Sequence, residues 1–235
     1  MVETTKMLGC GLLEMEQTAS TIGDIYSKSV ESHSLFIKDE IDSENATHIA
    51  ASMIYLSQKD PSNEITIYIN SIGGTIFGGL LTIYDTMQAI QAPIRTFCIG
   101  EAYSSAAIIM ASGTPGRRFL FPNSKVMIHA IQLSDVSGSS SELEREMKRI
   151  KIENKALMEI IARHTGQPLN KVKRDCKEDY YLNAEEAIKY GLADEIASPI
   201  KKIPNLSKIS RAIKKSNIIQ TVPNSLLVNN SKNEQ

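Results

Sequence analysis

The residues best placed to do chemistry lie in Gly100-Glu101-Ala102-Tyr103-Ser104-Ser105-Ala106-Ala107, where two adjacent hydroxyls separate an apolar run from a stretch of small residues. Ile94 to Ile99 reads as a strand, and Ala106 to Ala111 as a buried helix. A side chain on the first turn of a helix sits among unpaired N–H groups at the positive end of the dipole, where developing negative charge is stabilised. The same Ser-Ser pair also reads as an ordinary helix cap. Nucleophilic use of a serine requires a base, an acid to orient that base and a second oxyanion donor. His129 ends the apolar run Val126-Met127-Ile128, a place that suits a structural histidine as well as a base. Gly73-Gly74, inside Asn70-Ser71-Ile72-Gly73-Gly74-Thr75, let the backbone approach a ligand closely. Neither GxxxxGK[ST] nor GxGxxG occurs, so a phosphate-cradling loop has little support.

Length and composition bound the elements that must position these residues. The chain has 235 residues, enough for one good-sized domain with a tail, or at most two small ones. A formal net charge of −1 gives no push towards nucleic acid or an anionic membrane, and the absence of tryptophan argues against base-stacking platforms. Cys10, Cys98 and Cys176 are an odd number, far apart and without CxxC, which excludes a disulfide framework and suits a reducing compartment. His33, His48, His129 and His164 lack metal-ligand spacing, and no metal is expected. No apolar run is long enough to span a bilayer, and a secretory signal is not expected.

Residues 1–23 carry no sustained period and read as an N-terminal arm, a propeptide or axial segment, with its boundary at Gly23-Asp24. Ser34 to Ile37 predicts a strand, and Asp42-Ser43 a cap for a helix through Leu56. Ile65 to Ile69 predicts an internal strand, followed by a Gly-rich turn and an apolar helix from Leu80 to Ile90 that Pro93 ends. Strand, glycine turn and helix then recur from Ile94 to Ala111, which is α/β organisation with functional loops at strand carboxyl ends. Arg117-Arg118 reads as a solvated turn. Ser141 to about Arg163 predicts a long amphipathic helix whose stripe runs from Leu143 and Met147 to Ile160 and Ile161. Such an element suits packing against another subunit or against its own core. Asn183-Ala184-Glu185-Glu186 reads as a capping box, and Gly191 as the stop of the short helix it opens. From Ser198 the composition shifts to Lys, Asn, Ser and Ile, and 199–235 reads as a largely disordered tail.

From about Asp24 to Ile196 the chain resembles the proteolytic subunit of Clp protease, the ClpP family. The resemblance rests on Tyr68-Ile69-Asn70-Ser71, Gly73-Gly74, Ile83-Tyr84-Asp85-Thr86-Met87-Gln88, Pro122-Asn123-Ser124, Val126-Met127-Ile128-His129 and His164-Thr165-Gly166-Gln167-Pro168, in family order. It implies an α/β, crotonase-like spiral of repeated ββα units over 24–198, with a protruding long helix for ring-ring contact. It also implies an ATP-dependent serine endopeptidase that cuts unfolded polypeptides to short peptides inside two stacked heptameric rings. A Clp-type hexameric ATPase would feed the rings and use the ATP, so no cofactor is expected of this chain. The family's Gly-x-Ala-x-Ser motif falls on Gly100, Ala102 and Ser104, which makes Ser104 the nucleophile. His129 becomes the base and Asp179 the orienting acid, with Asp175 the competing acid. The oxyanion donors become the backbones of Gly74 and Ser105, with Gly73 beside them.

Several positions depart from the family pattern. Ile72 replaces the proline before Gly-Gly, and one extra residue separates Gly73-Gly74 from Ile83. Ala130-Ile131-Gln132 replaces the usual run after the histidine, which points to an altered cleavage preference. Lys177 and Glu178 reverse the signs of a pair that joins the rings, and Thr66 and Ala89 stand where aromatics of the ATPase dock are usual, although Tyr68 is kept. A non-catalytic or specialised ring subunit, for example a structural partner or a virus-type maturation protease, is the alternative. An acyl-CoA enzyme of the crotonase type is a third reading, which the Ser, His and Asp set disfavours. Location is expected to be cytoplasmic, or the stroma or matrix of an organelle, with polypeptides as substrates and no nucleic acid or membrane partner.

Overall fold

The computed structural model of the chain describes residues 22–132 and 137–197. Helix α1 (Ile22–Glu31) begins across the expected boundary at Gly23-Asp24 and leads into strand β1 (Ser34–Ile41). Helix α2 (Ser43–Lys59) starts where a reciprocal cap forms: Asn45 N donates to Asp42 Oδ1 at 2.8 Å, and Asp42 N donates to Asn45 Oδ1 at 3.2 Å. Strand β2 (Ile65–Gly74) follows, then a π-helical turn over Ile76–Leu81, helix α3 (Thr82–Ala89) and strand β3 (Ile94–Tyr103). Helix α4 (Ser105–Ala111) leads to β4 (Arg118–Leu120) and β5 (Lys125–Ile128), and the long helix α5 spans Ser140–Thr165. Helix α6 (Leu169–Asp175), β6 (Tyr180–Asn183), α7 (Ala184–Tyr190) and β7 (Glu195–Ile196) complete the described residues, and the tail at 199–235 lies outside them.

The strands make a mixed, mostly parallel sheet in the order β1-β2-β3-β4-β7, an α/β architecture of the ClpP and crotonase kind. Strand β3 forks. Its first half pairs Thr96 to Cys98 with β4, and its second half pairs Glu101 to Tyr103 with β5. Among the described residues, only β5 and β6 pair antiparallel. The sheet buries Ile37, Ile67, Ile69 and Cys98 against helices α2 and α4, and among the described residues these side chains join one core. Burying each large aliphatic side chain stabilises the fold by roughly 1.5–3 kcal/mol.

On the other face, alternation puts an aromatic on four adjacent strands at paired positions. Phe36, Tyr68, Phe97 and Phe119 stack with ring centroids 5.1, 5.4 and 4.9 Å apart. Tyr26 closes one end edge-on, and Phe121 leans on Phe97 at the other.

Three irregularities line up across the first strands. Asp39 has φ 57° where the β1–β2 register breaks, the β2–β3 register breaks between Ile69 and Ser71, and Gly100 has φ 102°. A Cβ at Gly100 would fall 2.4 Å from Asn70 Oδ1, an atom that accepts from Glu101 N. Bulges of this kind bend a sheet and re-aim the residues beyond them.

Several sequence expectations need correction. Gly73 and Gly74 lie in strand β2 itself, because Ile41 continues β1 far enough to pair with Gly74. The helix expected from Leu80 to Ile90 begins only at Thr82, because Leu80 and Leu81 belong to the π turn. Arg118 is no solvated turn residue. It is 8% exposed, donates to the carbonyls of Ala111, His164 and Gly191, and pairs with Asp194 at 2.6 Å. Of the long helix, the C-terminal half packs on the core through Leu157, Met158 and Ile161, while Met147 and Ile152 remain exposed.

Candidate functional site

Ser104 follows the last residue of β3, where the chain must reverse from strand to helix. Its backbone N donates to Met127 O at 2.8 Å, which extends the β3–β5 pairing by one step. The turn requires φ 54° and ψ −123°, a conformation costly for a residue with a Cβ. The side chain makes no capping bond to α4, and Ser105 Oγ is buried without a hydrogen-bond partner. Capping therefore does not explain either hydroxyl. Ser104 Oγ lies 2.8 Å from His129 Nε2.

His129 comes directly after β5, and Asp179 directly before β6. Because Ile128 and Tyr180 are opposite one another in the antiparallel pair, the residues just beyond them also face each other. His129 Nδ1 stands 3.2 Å from Asp179 Oδ1, within ion-pair range but without the angle of a hydrogen bond. The imidazole is mostly buried, whereas the Asp179 side chain is 40% exposed. Asp175, the other candidate acid, points elsewhere: it accepts from Lys171 Nζ at 2.7 Å and from Tyr190 Oη at 3.1 Å. Burial opposes its ionisation, but those donors outweigh burial and hold its carboxyl below the usual range.

Gly73 and Gly74 reach this turn from β2. Gly73, with φ 97°, approaches so closely that a Cβ there would sit 2.7 Å from Ser104 Cβ and 3.2 Å from Ser105 N. Its own N–H is engaged by Ser71 Oγ at 3.1 Å. A Cβ at Gly74 would fall 2.1 Å from Ile41 O, so the β1–β2 pairing needs glycine there. Gly74, Ser104, Ser105 and His129 all line a cavity of about 610 Å³. Its apolar lining includes Leu80, Ile108 and Leu157, and Phe77, Arg149, Glu153 and Gln132 line it as well. Arg149 stacks over the Phe77 ring at 5.8 Å and pairs with Glu146 and Glu153. Among the described residues there is no cluster of His, Cys, Asp or Glu that would hold a metal ion. No helix among them is long and apolar enough to cross a membrane.

Sequence reasoning did not single out Phe77, Arg149 or Glu153, and it named Gln132 only within the altered run after His129. Phe77 reaches the cavity through the π turn, which carries no simple sequence signature. Arg149 and Glu153 looked like the charged face of an amphipathic helix. Gln132 donates from Nε2 to Asp179 Oδ1 at 3.0 Å, a contact across 47 residues that no local pattern announces. The aromatic row was legible only at Tyr68, since the other three rings are recognised by cross-strand register.

The family model described as Clp protease matches residues 16–199, a span that includes every residue of the site and most of the chain. The chain belongs to the Clp protease family.

Proposed function

We propose that the chain is a serine endopeptidase in which Ser104 attacks the peptide carbonyl, His129 moves the proton and Asp179 orients His129. The observation that carries this reading is the 2.8 Å contact between Ser104 Oγ and His129 Nε2 at the edge of a cavity large enough for a side chain. In the reaction, neutral His129 takes the Ser104 proton at Nε2 as Oγ bonds to the carbonyl carbon. The resulting imidazolium gives that proton to the departing amine, which leaves an acyl-Ser104 ester. Water, deprotonated by the same nitrogen, then attacks the ester, and His129 returns that proton to Ser104 Oγ as the ester bond breaks and the acid product leaves. Asp179, ionised, keeps the proton on Nδ1 and stabilises the imidazolium.

The oxyanion requires two N–H groups. Ser105 N is in the first turn of α4, where no intrahelical acceptor exists. Gly74 is the better second donor, because Gly73 N already donates to Ser71 Oγ. Removing one such donor typically costs about 10²–10³ in kcat.

Assembly into two stacked heptameric rings, fed by a Clp-type ATPase, is part of the same proposal. The exposed Met147 and Ile152 on the first half of α5 suit a subunit contact. The row Phe36, Tyr68, Phe97 and Phe119 supplies aromatic surface for a hydrophobic partner loop, even with Thr66 and Ala89 in place of aromatics. Labelling with a serine-directed phosphonate, followed by peptide mapping, tests the chemistry. Adduct on Ser104 that is lost in His129→Ala is the expected result. An unlabelled Ser104 in assembled protein would overturn the reading.

A further inference from the structure

Asp179 is the least secured member of the trio. Its side chain is 40% exposed, and its approach to His129 lacks hydrogen-bond alignment. A carboxylate in that position is free to rotate into water unless another group holds it. Among the described residues, the hydrogen bond to its carboxylate comes from Gln132 Nε2, at 3.0 Å, on the same oxygen that faces His129. A carboxylate oxygen has two lone pairs, so it can accept from both donors.

The segment carrying Gln132 is itself fastened on both sides of the site. Ala130 N donates to Cys176 O at 2.7 Å, which ties the residue after His129 to the stretch leading to Asp179. Ile131 N donates to Asn154 Oδ1 at 3.1 Å, which ties the same segment to the middle of α5. Three successive residues after His129 thus reach the acid, the acid's own segment and the long helix.

We infer that Gln132 is a positioning residue for the peptidase reaction, holding Asp179 Oδ1 within reach of His129 Nδ1. The inference rests on the peptidase reading above. In this role Gln132, which lines the same cavity as Ser104, acts through the carboxylate. Its effect belongs in kcat, because a misplaced acid weakens the imidazolium of the transition state and leaves substrate binding intact. Asn154 supports the arrangement from α5, so the seating of that helix and the placement of the acid are physically joined.

The test compares Gln132→Met, which keeps the length and removes the donor, with Gln132→Lys, which restores one. Both are made in the full chain and assayed on an unstructured fluorogenic peptide and by the rate of phosphonate labelling. Gln132→Met is expected to lower kcat and the labelling rate together by roughly 10- to 100-fold, the scale of a hydrogen bond to a charged group. KM should stay unchanged, and Gln132→Lys should recover most of the loss. Unchanged kcat in Gln132→Met, or an equal loss in Met and Lys variants, overturns the inference. A crystal structure of Gln132→Met gives a readout that needs no activity. Asp179 turned beyond about 4 Å from His129 Nδ1, the outer limit of an ion pair, supports the role, and an unmoved carboxylate overturns it. Failure of wild-type protein to label at Ser104 would instead strike the peptidase reading, and the crystallographic comparison would still decide what Gln132 does.

Discussion

Gly73 and Ser104 are so close that a single methyl group on the glycine would stand 2.7 Å from the serine's Cβ. No flexible side-chain end is available there to give way, since the Tyr103 carbonyl lies equally near. Gly73→Ala should therefore displace Ser104 while leaving the core intact. A shift of about 1 Å in a reacting group can cost 10²-fold, so peptide turnover should fall by at least that order with little change in far-ultraviolet circular dichroism. Gly74→Ala should behave differently. Its Cβ would collide with the Ile41 carbonyl, parting β1 from β2, and soluble yield and Tm should drop along with activity.

Ser104 is held at positive φ by the turn from β3 to α4. Such strain costs on the order of 1–3 kcal/mol, of which glycine would recover part, less its larger unfolded-state entropy. Ser104→Gly is expected to be inactive yet more stable than wild type by about 1 kcal/mol, a Tm rise of roughly 2–4 °C. A Ser104→Gly protein that melts below wild type in calorimetry would refute backbone strain at Ser104.

Arg118 and Asp194 form a mostly buried knot that also satisfies three backbone carbonyls. Arg118→Met leaves Asp194 with backbone donors alone and those carbonyls without their partner, and a loss of about 3–5 kcal/mol is expected from denaturant unfolding. Burial works against ionised Asp194, but the hydrogen bonds from Arg118 and the nearby positive charge prevail, so its carboxyl is held below the ordinary range. A lowered folded value stabilises the protein above the unfolded value of about 3.9, and that stability is lost as pH falls through the folded value. The Tm gap between wild type and Asp194→Asn should be widest near neutral pH and narrow below about pH 4.

His164 gives a second, separate pH dependence. Burial first, and then the Arg118 and Arg163 charges, push its imidazole below the ordinary 6.5. The ring also contacts Tyr84 Oη at 3.2 Å. Unfolded chain then takes up a proton that folded chain resists. Stability is full above the ordinary value and is lost as pH falls through the folded one. His164→Gln should flatten the decline of Tm between about pH 7 and pH 5, whatever its offset at neutral pH. An unaltered slope would show that another group governs this range.

The proposed ATPase dock on the outer sheet face predicts a separation of two activities. Phe97→Ala removes the ring that contacts Tyr68, Phe119 and Phe121 at once. ATPase-stimulated digestion of an unfolded protein should fall several-fold or more, since aromatic anchors commonly carry about 2 kcal/mol or more of an interface. Cleavage of a short peptide that needs no ATPase should be nearly unchanged. Equal loss of both activities would mean that the row serves the fold and not a partner.

Features set by neighbours in the chain were legible, and features set by pairing were not. Asp42 with Asn45, Asn183 with Glu186, and the left-handed Gly191 are all local, and each stands where the sequence suggested a helix end. The fork of β3 was invisible because two different partners must first find the same strand. Arg118 was misjudged because its burial depends on Asp194, 76 residues away. At the candidate site, residue type alone told neither Ser104 from Ser105, nor a basic from a structural His129, nor Asp179 from Asp175; only the family resemblance chose among them. Antiparallel register separates the two acids, because it places one opposite His129 and turns the other towards Lys171 and Tyr190.

The π turn at Ile76–Leu81 bears on how such a chain can change through descent. It begins just after the glycines that fit against Ser104 and ends just before α3, so its one wider coil takes up an additional residue between two fixed neighbours. Thr75, Ile76, Phe77 and Leu80 all face the cavity. Insertions and deletions here would reshape what the cavity admits while the reacting atoms keep their places, so diet and chemistry can evolve on separate clocks.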